Sequence, residues 1–190
     1  VLIHQFATIT ENGTSVKMST RKANFITLDE LLDEVGVDVL RYFFLMRGAN
    51  THLNFDIDIA KSESDENPVF YLQYAYARIS NIISRSIELD YQESKNPDLS
   101  LLSSDIETEL ISLLISFPDY VNRVTKNLEP QIIINYLQGL AMLFHRFYSK
   151  NKVLTEDKKL SEARLLLIKS IQIILRNGLN ILGISHPEKM

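Results

Sequence analysis

The chain has no cysteine. That excludes disulfides and every zinc site built on thiolates, and it fits a reducing compartment. A surplus of positive charge is also missing: 20 Lys and Arg stand against 24 Asp and Glu, for a net charge of −4. No global basic field exists to draw in nucleic acid, so any binding of a polyanion must rest on local patches. No apolar run approaches the roughly 18 residues that a membrane span needs. No charged-then-apolar leader precedes a cleavage site. Internal repeats and low-complexity tracts are absent. His4, His52, His145 and His186 are scattered, and no pair of them has metal-ligand spacing. The chain opens Val1-Leu2-Ile3 without an initiator methionine and reads as entering a strand. It is expected to be a piece of a longer protein.

What is present is a large apolar content, 45% of residues, enough for a real core in one or two domains. Residues 1–10 are apolar and β-branched and predict a strand. The polar turn Glu11-Asn12-Gly13-Thr14 follows. Thr27 and Glu30 have capping-box spacing and open a helix to about Val35, where Gly36 can end it in a left-handed conformation. Asp38 is placed to cap the next helix, with Val39, Leu40, Phe43 and Phe44 on its apolar side. Asn54-Phe55-Asp56-Ile57-Asp58-Ile59 alternates polar and apolar, which predicts a short extended segment. Its carboxylates fit a solvated face or a helix cap better than a metal site.

The remainder reads as helical. Asn67 and Pro68 mark the cap and first turn of a long helix to about Leu89, with Phe70, Tyr74, Ala77 and Ile82 spaced for one face. Residues 90–104 are polar, with Asn, Pro and Ser, and predict a loop. Ser104 and Glu107 can box a helix ending near Phe117, and Pro118 and Pro130 each fit the start of a further one. A last helix, about 160–182, carries Leu165, Ile168, Ile171 and Leu175 at helical spacing and stops at Gly183. About five helices joined by short connections make a bundle.

The segment Val16-Lys17-Met18-Ser19-Thr20-Arg21-Lys22 carries three cations and two hydroxyls. Lys supplies mobile point charges, Arg a planar fork, and Ser and Thr further donors, which together can hold a polyphosphate. A basic run alone is usually a solvated turn. The order of these residues, however, resembles the KMSKS signature loop of class I aminoacyl-tRNA synthetases. Asp38-Val39-Leu40-Arg41 resembles the Asp-Ala-Leu-Arg tetrad of the DALR anticodon-binding domain. The stretch Asn67-Pro68-Val69-Phe70-Tyr71-Leu72-Gln73-Tyr74-Ala75-Tyr76-Ala77-Arg78 and the ending Leu182 to Met190 resemble the arginyl branch of these enzymes. Four motifs in order cover almost the whole chain, most weakly over 90–104.

The resemblance implies a mainly α fold: a helical bundle of the DALR type (63–190), preceded by a small α/β remnant of the class I catalytic domain (1–62). The parent enzyme would join arginine and ATP, with Mg2+, into an adenylate and pass the arginyl group to the 3′ end of its tRNA. The loop would stabilise charge developing on the leaving pyrophosphate. Lys17 and Ser19 match the loop motif, and Thr20 stands where its second lysine would be. Lys17, Arg21 and Lys22 are the catalytic candidates, and Lys17, Met18, Ser19 and Thr20 the nucleotide-binding ones. The remaining groups that hold ATP and arginine would lie outside this chain. It is therefore expected to be inactive alone and to carry no cofactor.

The bundle is expected to bind the tRNA anticodon arm, since RNA loops are read by stacking on aromatic and guanidinium planes. By the resemblance, Tyr148 and the terminal Met190 lie against the anticodon loop. Lys152, four residues after Tyr148, is expected to share its helix face. Tyr76 and Arg78 are further RNA-facing candidates, with Tyr74 in the core and Arg41 structural. The partners implied are arginine tRNA, arginine and ATP, without membrane or DNA, in the cytoplasm. Two alternatives stand beside this reading: a fragment of a cysteinyl-tRNA synthetase, and a helical protein-interaction module that binds no RNA.

Overall fold

The computed structural model describes residues 5–16, 26–91 and 96–190. Strand β1 (Ala7–Glu11) folds back into β2 (Thr14–Ser15). Asn12 and Gly13 both have positive φ, 50° and 69°, as a two-residue Asn-Gly hairpin turn requires. On its other side β1 pairs in parallel with β3 (Leu53–Asp56), Ala7 beside Leu53 and Ile9 beside Phe55. The sheet order is β2-β1-β3.

Two short helices, α1 (Leu28–Val35) and α2 (Val37–Leu45), lie between β1 and β3 in sequence. The capping box that opens α1 is formed: the Glu30 N–H donates to Thr27 Oγ1 at 3.2 Å, and the Thr27 N–H to Glu30 Oε2 at 2.7 Å. Gly36, at φ 79°, separates the helices. It takes the cap position expected for Asp38, which lies inside the first turn of α2. Phe44 is exposed, against expectation, while Tyr42 is buried. Gln138 Nε2 donates to the Tyr42 hydroxyl at 2.6 Å, so this buried polar atom is satisfied. Helix α3 (Ile57–Lys61) is capped by Asp56, whose Oδ1 accepts from the Ile59 N–H at 3.1 Å. Asp58 accepts from the Asn12 N–H at 2.6 Å. The carboxylates of this segment thus hold a helix end and a turn.

Helix α4 (Pro68–Glu88) starts where the sequence predicts. Asn67 is 4% exposed and serves both sides: its Oδ1 accepts from the Val69 N–H at 3.1 Å, and its Nδ2 donates to the Ala60 carbonyl at 3.0 Å. The buried residues are Val69, Leu72, Ala75, Tyr76, Ala77, Ile79 and Ser86, so of the expected face Ala77 is buried, while Phe70, Tyr74 and Ile82 are only partly so. Phe70 and Tyr74 instead form a half-buried aromatic ridge, stacked at 6.1 Å and 8°.

A 3-10 turn (Leu99–Leu101) lies in the predicted loop. Helix α5 then runs unbroken from Asp105 to Asn127, with Pro118 inside it. The expected break at Phe117 is therefore corrected. Proline removes one helical hydrogen bond and crowds the preceding turn, but α5 packs antiparallel on α6, and this packing overrides the local penalty. Near the proline, the Leu113 carbonyl accepts from the Ser116 and Tyr136 hydroxyls at 2.7 and 2.8 Å. Helix α6 (Gln131–Lys150) follows Pro130. Helix α7 (Lys158–Leu182) is capped by Asp157 and ends at Gly183, whose φ is 68°. Among the described residues four long helices make the bundle, one fewer than expected because Pro118 ends nothing.

The core runs without a break from Ile9 and Phe55 through Tyr42 to Leu72, Phe144 and Ile171, so sheet and bundle share it. Helix α7 contains a window long and apolar enough to cross a membrane, more than the sequence expectation allowed. Its Leu165, Ile168, Ile171, Leu175 and Leu179 fill the bundle interior, which accounts for that composition. Gly178 lets α7 approach α6: a Cβ there would stand 2.6 Å from Leu137 Cδ2.

Candidate nucleic-acid interface

Helical spacing on α4 lines up Tyr74, Arg78, Asn81, Ile82 and Arg85 along one edge. The C-terminal end of α6 and the residues after it face that edge with Tyr148, Asn151 and Lys152, and Met190 closes one side. Between them lies an open cleft of about 610 Å³. Its cations are Arg78, Arg85 and Lys152, a local positive rim on a chain of net negative charge.

Aromatic and guanidinium planes meet inside it. The Arg78 guanidinium carbon lies 4.7 Å from the Tyr74 ring centre and 4.8 Å from that of Tyr148. Arg78 also donates to the Tyr74 hydroxyl. Cation–π contact of this kind holds a long side chain in one place. Behind it, His145 stacks on Tyr74 at 5.9 Å and contacts Tyr71 at 4.7 Å and Phe144 at 5.4 Å. Burial pushes the His145 pKa down, and the Arg78 charge adds to that. A hydrogen bond with the Tyr71 backbone and the Asp65 charge oppose it. Its buried Nε2 has no partner among the described residues. A neutral imidazole at neutral pH follows.

The floor beyond α6 is fixed by a buried charge. Glu107 is 1% exposed. Its Oε2 accepts from the Ser104 N–H at 3.0 Å, completing the cap of α5, and its Oε1 accepts from Arg164 Nε at 2.8 Å. Arg164 Nη1 donates in turn to the Lys152 carbonyl at 2.8 Å. Burial raises the Glu107 pKa, but the hydrogen bonds from Ser104 and Arg164 outweigh it, so the carboxyl titrates below its ordinary range. The residues that carry Asn151 and Lys152 are thus tied to α5 and α7 together. The tail is tied as well: Ile184 is buried, and the His186 ring lies 4.9 Å from that of Tyr76.

The family model of the DALR anticodon binding domain matches residues 72–190, which contain every residue that lines this cleft. The chain belongs to the DALR anticodon-binding family. It is 48% identical over its whole length to an arginine–tRNA ligase of Listeria welshimeri, of which it covers 34%. A solved Campylobacter jejuni protein, provisionally named an arginyl-tRNA synthetase, superposes with a TM-score of 0.83 at 29% identity, over 98% of this chain and 40% of that one. The Thermus thermophilus arginyl-tRNA synthetase gives 0.78 at 25% identity, over 96% of this chain and 34% of that one. The chain thus spans about a third of the length of the curated relatives it matches.

Within this DALR domain, Arg78, Tyr148, Lys152 and Met190 line one cleft. The expectation for Tyr76 is corrected: it is 4% exposed and packs on His186, so it supports the tail from inside. Tyr74, expected in the core, is the ring that lines the cleft, because α4 turns Tyr76 fully inward and Tyr74 only partly. Lys152 lies past the end of α6 and does not share a helix face with Tyr148; the Arg164 contact brings it to the same cleft instead. The supporting roles of His145, Glu107 and Arg164 went unread. The Ser104-to-Glu107 spacing pointed to the cap, and nothing local pointed to Arg164. Lys17, Met18, Ser19, Thr20, Arg21 and Lys22 all lie outside the described residues. Among the described residues no cluster of His, Asp and Glu is placed to hold a metal ion.

Proposed function

We propose that this chain binds the anticodon arm of arginine tRNA in the cleft between α4 and the end of α6, as part of an arginine–tRNA ligase. One observation carries the reading: Arg78 held between Tyr74 and Tyr148 in a cleft that also gathers Lys152 and Met190. Single-stranded bases are bound by stacking on such planes, and phosphates by the cations around them. We also keep the division at residues 62 and 63 as part of this proposal, with the sheet and first three helices as the end of the catalytic domain. The complete cytoplasmic enzyme would use ATP with Mg2+ to activate arginine, with Lys17, Arg21 and Lys22 close to the phosphates. In that enzyme, Lys17→Ala together with Arg21→Ala is expected to slow adenylate formation more than it weakens tRNA binding. Equal losses would remove the loop from the chemistry.

The test is a binding titration of the chain with arginine tRNA and with the same tRNA carrying a substituted anticodon, over a salt series. The expected result is binding that weakens with salt and falls with the anticodon change. Binding indifferent to the anticodon would leave only charge attraction, and an absence of binding would favour a protein partner for the bundle.

A further inference from the structure

Resting on that reading of the cleft, we propose that Asp38, in the first turn of α2, is a positioning residue for it: Asp38 clamps the C-terminal tail and thereby sets the place of Met190. Asp38 and Ser185 are 147 residues apart in the chain. The Ser185 N–H donates to Asp38 Oδ1 at 3.1 Å, and the Ser185 hydroxyl donates to Oδ2. Gln73 Nε2 reaches both partners, 2.9 Å from Asp38 Oδ2 and 3.1 Å from the Ser185 carbonyl oxygen. Both carboxylate oxygens are engaged, and α4 supplies the third member of the clamp.

The same tetrad meets the tail a second time. Gly183 has φ 68°, a left-handed conformation that favours glycine, and the Arg41 side chain lies against it, 2.9 Å from where a Cβ would stand. Ile184, between these two contacts, is 2% exposed. Ser185 itself is exposed, His186 and Pro187 are half-buried, and Glu188, Lys189 and Met190 are all exposed. Chain ends fray unless tied down. Met190 lies five positions after Ser185, and each further residue released from the tail's anchor lengthens the reach of the chain end by roughly 3.4 Å. The clamp fixes the start of this free end before RNA arrives, and this is how Asp38, at a distance from the cleft, strengthens binding in it.

The experiment combines methionine-methyl NMR of the chain with titration of the arginine-tRNA anticodon stem-loop. In Asp38→Ala the Met190 methyl signal is expected to move to the position of a flexible methionine, while that of Met142 on α6 stays. Affinity is expected to fall about five-fold, the size of the cost when a side chain must be immobilised again on binding. Deleting Met190 should produce a similar fall, and the combined variant should bind no more weakly than the deletion alone. An unmoved Met190 signal, or losses that add in the combined variant, would overturn the proposal. Should Asp38→Ala fail to fold, Ser185→Ala and Asp38→Asn carry the same comparison. Should Tyr148→Ala and the Met190 deletion both leave RNA binding unchanged, the cleft reading itself fails, and the Met190 signal alone decides the clamp.

Discussion

The guanidinium carbon of Arg78 stands 4.8 Å from the centre of the Tyr148 ring. Tyr148 is 36% exposed, while its neighbour Phe147 is fully buried. The ring therefore presents a surface to the cleft and contributes little to the core. Tyr148→Ala is expected to weaken RNA binding by ~1–3 kcal/mol, the range for loss of one base–aromatic stack, with a melting temperature within a few degrees of the parent chain. Fluorescence titration and a thermal melt check both. A large loss of stability would show that Tyr148 is a core residue.

The Glu107–Arg164 pair predicts a stability effect that reaches the cleft. Glu107→Ala leaves Arg164, with a side chain only 12% exposed, without its buried acceptor. Loss of one partner of a buried pair costs about 3–5 kcal/mol. Urea unfolding should show a loss of that order, and RNA affinity should fall as residues 151–152 lose their anchor. The folded pKa of Glu107 is depressed. Its contribution is therefore complete at neutral pH and is lost as pH falls through that depressed value. A Glu107→Ala chain with unchanged stability would show that the pair is replaceable.

His145 gives a second pH dependence. Its folded pKa lies below the ordinary histidine value, so the unfolded chain takes up the proton first as pH falls. The neutral ring's contribution is whole above pH ~6.5 and declines below it. Denaturation at pH 7.5 and 5.5 should show wild type losing stability at the lower pH. That loss should shrink in His145→Gln, which keeps a donor for the Tyr71 backbone without a titrating group. The same pH dependence in both chains would contradict this account.

Gly178 tests the packing of α7 on α6. A methyl group there would meet Leu137 side-chain carbons at 2.6 and 2.8 Å. Overpacking a tight core costs about 1–3 kcal/mol, against a helix-propensity gain near 1 kcal/mol for replacing glycine with alanine. Gly178→Ala is expected to be net destabilising by chemical denaturation. Gly139→Ala on α6, where a Cβ meets nothing within 4 Å, should stabilise. The opposite order would mean that Leu137 moves aside freely.

The features legible in the sequence were those written locally. The Thr27–Glu30 and Ser104–Glu107 boxes, the Asn67-Pro68 start and the Gly183 stop each depend on residues within a few positions, and each formed. The misreadings were tertiary. Pro118 carries a local break signal that packing of α5 on α6 overrides. The phase of α4 was ambiguous because residues 69–79 are apolar or aromatic nearly all round, so periodicity could not choose between Tyr74 and Tyr76. Tyr148 and Met190 were named by family resemblance. Their gathering with Arg78, and the Asp38 clamp on Ser185, join segments far apart in the chain that no local pattern links.

The most direct measurement is photo-crosslinking of the chain to an arginine-tRNA anticodon stem-loop with a photoreactive base in the loop, followed by identification of the attached peptides. The account predicts attachment at Tyr74–Arg85, at Tyr148–Leu154 and at the peptide ending in Met190. Attachment confined to the outer groove of α5 and α6, around Glu109, Met142 and Arg146, would contradict it.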